Sequence, residues 1–83
     1  MTTRETIRAA IEEGFPDRDV AEMFELLDLY GTELHEKERE RVQLAILELS
    51  KGDFELLLHN IEAAKRDFRD VLYWAENPTQ DGV

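Results

Sequence analysis

The stretch LAILELSKGDFELLL, residues 44–58, decides the fold because a Gly-Asp pair interrupts two apolar helical patterns. Gly52 suits the left-handed end of one helix, and Asp53 suits the N-cap of the next. A link this short requires the two helices to run antiparallel. The sequence therefore predicts a tight helical hairpin that turns at Gly52 and Asp53.

The helix before the turn is predicted over residues 34–51 and carries apolar residues on two sides. Its main stripe consists of Val42, Ala45, Ile46 and Leu49. Leu44 and Leu47 lie roughly 100–200° away from that stripe, because each helical residue advances by about 100°. We expect a helix that is apolar on two sides to occupy the centre of the molecule.

The helix after the turn is predicted to be the longest, over residues 54–76. One apolar stripe follows it throughout, formed by Phe54, Leu57, Leu58, Ile61, Ala64, Phe68, Val71, Leu72 and Ala75. We expect part of this stripe to be buried against Val42, Ile46 and Leu49, namely Leu57, Leu58, Ile61 and Phe68. Pro78 disfavours helical geometry at Asn77, and residues 78–83 are expected to form a flexible tail.

Two shorter helices are predicted before the hairpin. The first is capped by Thr2 and stops at Gly14 in a left-handed conformation. The second is capped by Asp19 and stops at Gly31 by the same logic. We expect both to pack across the hairpin, which gives an all-α fold of four helices.

The composition limits the number of domains and the kinds of chemistry. A chain of 83 residues supports one core, so residues 1–83 are predicted to form a single domain, ordered over residues 1–77. The absence of cysteine excludes disulfides, thiolate catalysis and zinc–thiolate sites. Any catalytic or metal-binding chemistry therefore depends on other residue types.

The charge is strongly acidic, with a net value of −10 from 20 acidic and 10 basic residues. This balance argues against nucleic-acid binding, which relies on Lys and Arg to neutralise phosphates. Residues 1–34 hold nine acidic and three basic residues, whereas residues 35–51 are balanced. The acidic surface either keeps the protein soluble or matches a basic protein partner.

The expected location is the cytoplasm. No apolar run approaches the roughly 20 residues that span a bilayer, so no membrane partner is expected. The first residues turn charged at Arg4 and Glu5, without the apolar core of a signal peptide.

One group of side chains has the spacing of helical metal ligands. Glu55, His59 and Glu62 occupy positions i, i+4 and i+7 of one helix, and such neighbours can bind divalent metals. Arg66 and Arg69 lie on the same flank of the apolar stripe, which favours a solvated charged face. We expect no metal and no cofactor, and a metal-dependent enzyme is the weakest alternative.

Other residues with catalytic chemistry are isolated. Ser50 is the only serine, and near the end of a helix its hydroxyl is expected to bond the local backbone. His35 is expected to be a partly buried imidazole, and Glu38 to pair with Arg41 or Arg39. The sequence therefore predicts that the protein is not an enzyme.

A second apolar line on the last helix is the feature that a simple hairpin does not explain. Leu56, Ala63 and Trp74 align on the side away from the main stripe. Together with Leu44 and Leu47 they form the candidate interaction surface. Packing within the chain is the first interpretation, and a homodimer or another protein is the second. A dimer is expected if the short helices cover only one of these surfaces.

The closing stretch KRDFRDVLYWAE, residues 65–76, resembles small uncharacterised bacterial helical proteins. The stretch RVQLAIL, residues 41–47, and the turn at Gly52 and Asp53 contribute to the resemblance. It covers the second half of the chain better than the first. It implies a helical fold in the bacterial cytosol, and it carries no activity and no site residue.

The sequence thus favours a non-enzymatic, acidic module that binds other proteins, such as an accessory or regulatory subunit. The first alternative is an inhibitor or immunity-type protein that covers a basic active site as a nucleic-acid mimic. The second is the metal-dependent enzyme based on Glu55, His59 and Glu62.

Overall fold

The computed structural model describes residues 3–32 and 38–76, which form five α-helices and no strand. The helices are α1 (Arg4–Gly14), α2 (Val20–Leu27), α3 (Arg39–Ser50), α4 (Phe54–Arg66) and α5 (Phe68–Glu76). The predicted all-α class is confirmed for these residues, whereas the predicted number of four helices is wrong.

The additional helix arises because the predicted helix over residues 54–76 is broken at Asp67. The backbone of Asp67 is extended, with φ −158° and ψ 101°, so α4 ends there. Its carboxylate accepts a hydrogen bond from the Arg69 N–H at 3.0 Å, as an N-cap residue does. Asp67 therefore ends one helix and caps the next.

The central position predicted for the third helix is confirmed, because α3 packs against α1, α4 and α5. The α3–α4 turn has the predicted N-cap, since the Asp53 carboxylate accepts from the N–H groups of Glu55 and Leu56. At the other end of α3, Arg41 forms two hydrogen bonds with the Glu76 carboxylate, at 2.6 and 2.8 Å. Both α4 and α5 thus run antiparallel to α3.

The ends of the first two helices differ in part from the prediction. Thr3 caps α1 by accepting from the Thr6 N–H at 3.3 Å, and Gly14 ends the helix without a positive φ. Asp19 caps α2 as predicted, with the Ala21 N–H as donor. The helix ends at Leu27 rather than Gly31, because the chain tightens into turns over residues 28–31.

The buried face of α4 is rotated relative to the predicted stripe. Leu57 and Ile61 are buried as predicted, but Leu58 is 39% exposed and Phe68 is only partly buried. Asn60 and Ala63 are buried in their place. The sequence pattern favoured Leu58 for its hydrophobicity, whereas the packing turns α4 toward the smaller Ala63.

The core draws on all five helices and on Phe15 and Tyr30 between them. Its aliphatic members with at most 3% exposure are Ile7, Ile11, Met23, Leu27, Val42, Ala45, Ile46, Leu57, Ile61, Ala64 and Val71. None of the helices within residues 3–32 and 38–76 is long and apolar enough to cross a membrane. The predictions for His35, for residues 34–37 of helix three and for the tail lie outside the described residues. Glu38 and Lys51, both predicted to be helical, are left-handed instead, so they flank α3 rather than belong to it.

Candidate functional site

The helices α1 and α3 run parallel. Their N-terminal ends contact the same residue, and their C-terminal ends lie side by side. At the N-terminal ends, the Asp28 carboxylate accepts hydrogen bonds from Arg4 of α1 at 3.1 and 3.3 Å. The same carboxylate accepts from Arg39 of α3 at 2.8 Å. Asp28 thus ties the beginnings of both helices to the end of α2.

The surroundings of Asp28 keep its carboxylate charged. Partial burial is the largest single influence and raises its pKa. Hydrogen bonds from Arg4, Arg39 and Gln43, with the nearby charge of Arg39, outweigh burial and hold the pKa below its ordinary value. The Asp28 carboxyl group is therefore favoured in its ionised form. We call its contacts with Arg4 and Arg39 the Asp28 junction.

Gly31 makes room for the arginine of this junction. Its φ of +108° is a conformation that other residues rarely adopt, and an added Cβ would lie 2.7 Å from Arg39 Cγ. The stem of Arg39 therefore passes directly over Gly31 on its way to Asp28. A side chain at this position would disturb the end of α3 that faces α1.

The C-terminal ends of α1 and α3 also meet. Gly52, with φ +79°, lies so close to α1 that an added Cβ would be 3.0 Å from the Gly14 carbonyl oxygen. The turn that starts α4 thus contacts the last residue of α1. Contacts at both ends fix the spacing of the two helices.

An open groove runs between α1 and α3, and a face of α1 forms one wall. The wall residues have the spacing i, i+3, i+4 and i+7, which places them on one side of the helix: Thr6, Ala9, Ala10 and Glu13. Ala9 is exposed and Ala10 is partly buried. Because alanine side chains are short, this wall leaves space beside α3.

The opposite wall is a face of α3 with the same spacing, formed by Leu44, Leu47, Glu48 and Lys51. Leu44 is partly buried and Leu47 is 5% exposed, whereas Glu48 and Lys51 are exposed. The open space between the two walls amounts to about 520 Å³. Its floor is apolar, and its charged groups lie toward the C-terminal ends.

Gln43, which the sequence analysis missed, supports the N-terminal end of the groove from the core. Its side chain is fully buried, and its Nε2 donates to the carbonyl oxygens of Leu27 and Tyr30 at 2.9 and 3.2 Å. Its Oε1 has no hydrogen-bond partner in the part of the chain that the structure describes. A glutamine beside an apolar stripe is usually exposed, so periodicity gave no signal for this role.

A second buried polar contact joins α3 to α4. The Ser50 hydroxyl donates to the Ile46 carbonyl oxygen at 2.6 Å, as predicted from its place in the last turn. Asn60 Nδ2 donates to Ser50 Oγ at 3.2 Å. The Ser50 hydroxyl therefore has a structural role, because it donates one hydrogen bond within α3 and accepts another from α4.

The five residues of the predicted interaction surface lie on three helices. Leu44 and Leu47 share the groove wall described above. Leu56 on α4 is 42% exposed and Trp74 on α5 is 40% exposed, whereas Ala63 is buried in the core. The break at Asp67 separates Leu56 from Trp74, so these side chains do not follow one straight helix.

The candidate metal-ligand set, which the sequence analysis expects to be a solvated charged face, lies on the surface. Glu55, His59 and Glu62 are all exposed on α4. Within residues 3–32 and 38–76, no three His, Asp or Glu side chains are arranged to hold a metal ion. His59 and Glu62 instead border a shallow depression with Lys65 and Arg66. Glu38 pairs with Arg41 at 2.9 Å, as predicted.

Comparisons of the chain with protein-family models, with curated proteins and with solved structures found no match. The resemblance to small bacterial helical proteins stays an expectation.

Proposed function

We propose that the protein is a non-enzymatic interaction module that binds another protein through the groove between α1 and α3. The observation that carries this proposal is the open apolar floor at Ala9, Ala10, Leu44 and Leu47. The described residues leave this floor uncovered, and an apolar patch with a polar rim is typical of contacts between proteins.

The surroundings of the groove support a docking role rather than catalysis. Its charged groups are Glu13, Glu48 and Lys51, and the rest of its lining consists of alanine, leucine, glycine and threonine, none of which is a usual general acid or base. The fixed ends of α1 and α3 hold the walls at a constant spacing, so a partner would meet a preformed surface. Preformed surfaces lose less entropy on binding than flexible ones.

The net charge of −10 favours a second candidate of a related kind. An inhibitor that covers a basic active site would use the same acidity to speed its encounter with the target. This candidate differs from the first in its target, because its partner would be an enzyme that loses activity on binding.

Site-specific photo-crosslinking in the source cells tests the module. A photoreactive residue is placed at Ala9 in the groove and, as a matched control, at Ala21, which is exposed on α2. We expect one dominant protein adduct at Ala9 and none of that size at Ala21. Equal adducts at both positions, or none at Ala9, would contradict the proposal.

A further inference from the structure

We propose that the partner segment is an amphipathic helix of another protein, with an apolar face and basic flanks, that lies along the groove. This inference rests on the proposed function and names the chemistry of the partner.

The geometry of the walls fits a helix. Each wall is a row of positions i, i+3, i+4 and i+7, and the rows belong to parallel helices. A row of this length covers about two turns, or roughly 10 Å at 1.5 Å per residue. The side chains of a third helix can pack as a ridge into such a groove.

The two walls contribute differently to the contact. Ala9 and Ala10 let the backbone of an incoming helix come close to α1, because they have no side chain beyond Cβ. Leu44, which is partly buried, offers the larger apolar contact on the side of α3, whereas Leu47 adds only the edge of a core side chain. An incoming leucine or isoleucine face therefore fits better than a row of polar side chains.

The charge identifies the flanks of the incoming helix. Glu13 is exposed on one wall, and Glu48 and Lys51 are exposed on the other, so the groove has two carboxylates and one ammonium group. The whole chain carries −10. Lysine or arginine beside the apolar face would meet these carboxylates on both edges. A second copy of this chain would instead bring a further −10, which disfavours self-association as the use of the groove.

The other depression does not offer the same fit. It is bordered by His59, Glu62, Lys65 and Arg66, which are charged or polar. The Lys65 ammonium group is also engaged, because it donates to the Leu29 carbonyl oxygen at 2.8 Å. Among the described residues no leucine, isoleucine or alanine borders it, so it lacks the row of aliphatic side chains that the groove offers.

The test is a titration of the ¹⁵N-labelled full chain with synthetic peptides of about 14 residues, or roughly four turns. The first peptide has leucines at i, i+3, i+4 and i+7 and lysines on the flanks. The second has the same composition with the leucine order scrambled. The third keeps the leucine pattern and replaces every lysine with glutamate.

We expect the first peptide to shift the amide signals of Ala9, Ala10, Leu44 and Leu47, and to bind more weakly as salt rises. The scrambled and acidic peptides should bind at least about tenfold more weakly, a difference of about 1.4 kcal/mol. The double variant Glu13→Gln, Glu48→Gln should lose affinity several-fold. The matched variant Glu62→Gln should not.

Equal binding of the scrambled peptide, or shifts confined to other surfaces, would overturn the helix-in-groove inference. If the acidic peptide binds with the same affinity as the basic one, the inference that the partner helix has basic flanks would be overturned. A dimer of the chain alone that is lost in Leu44→Ala would assign the groove to a second copy and overturn it also. Failure of every peptide while the Ala9 adduct persists would overturn this partner class alone, and failure of both would overturn the proposed function as well.

Discussion

The side-chain amide of Gln43 joins the middle of the molecule to the end of α2, with its Nε2 atom 2.9 Å from the Leu27 carbonyl oxygen. The same nitrogen lies 3.2 Å from Asp28 Oδ1 and 3.2 Å from the Tyr30 carbonyl oxygen. One buried donor therefore holds the chain as it leaves α2. This contact also places Asp28, which in turn holds α1 and α3.

Replacement of Gln43 should destabilise the fold in a graded way. Gln43→Met removes the donor and keeps a similar size, so we expect a loss of about 1–2 kcal/mol in the free energy of unfolding. Gln43→Glu should cost more near neutral pH, because it places a second carboxylate beside Asp28. Urea unfolding measures both losses. A Met variant as stable as the native chain would show that the amide is dispensable.

Gly31 and Gly14 form a matched pair for alanine substitution. Gly31→Ala should cost at least about 1–2 kcal/mol, because φ is +108° and the new Cβ would meet Arg39 Cγ at 2.7 Å. Gly14→Ala has nothing within 4 Å of the new Cβ and should gain about 0.4–1 kcal/mol. Thermal unfolding of the two variants should shift in opposite directions. A shift of both in the same direction would contradict the described path of Arg39.

The hydrogen bonds of Asp28 with Arg4 and Arg39 should make the free energy of unfolding depend on pH in the acidic range. The pKa of Asp28 is lower in the folded chain than in the unfolded chain, so its contribution is fully present above the unfolded value of about 3.9. That contribution is lost as the pH falls through the folded pKa. The unfolding free energies of the native chain and Asp28→Asn should therefore differ most near neutral pH and converge as the pH falls below the folded pKa of Asp28. A difference that stays constant over this range would rule out the ionised junction.

Leu57 and Leu58 test the orientation of α4. Leu57 is fully buried and Leu58 is 39% exposed. We expect Leu57→Ala to cost about 2–5 kcal/mol and Leu58→Ala less than about 1 kcal/mol. Denaturant midpoints measure the two variants under the same conditions. Equal losses in stability would show that Leu58 is as buried as Leu57, as the sequence pattern alone predicts.

Much of the hairpin could be predicted because its signals are local. The Gly52–Asp53 turn, the cap at Asp19 and the two-sided apolar pattern of α3 each depend on a few neighbouring residues. The break at Asp67 was missed because the apolar stripe continues through it, and Phe68 follows in helical register. The cap of α5 was nevertheless present in the sequence. It is Asp67, which lies two residues before Arg69 and accepts a hydrogen bond from the Arg69 N–H.

The groove could be predicted only on the side of α3. Leu44 and Leu47 stand out because they are large and lie away from the main stripe. The α1 wall gave no signal, since Ala9 and Ala10 matter for the space that they leave open. Gln43 was missed for a related reason, because the carbonyl groups that it binds come from a distant turn.

The most direct test of the account is the affinity of three chains for the patterned basic peptide, measured by isothermal titration calorimetry. The chains are the native protein, Ala9→Gln in the groove and Ala21→Gln on the exposed side of α2. Both substitutions keep good helix formers, so the fold should be preserved in each. The account predicts that Ala9→Gln weakens binding about tenfold or more, while Ala21→Gln leaves it unchanged. Equal affinities for all three chains would contradict the claim that the groove between α1 and α3 is the docking surface.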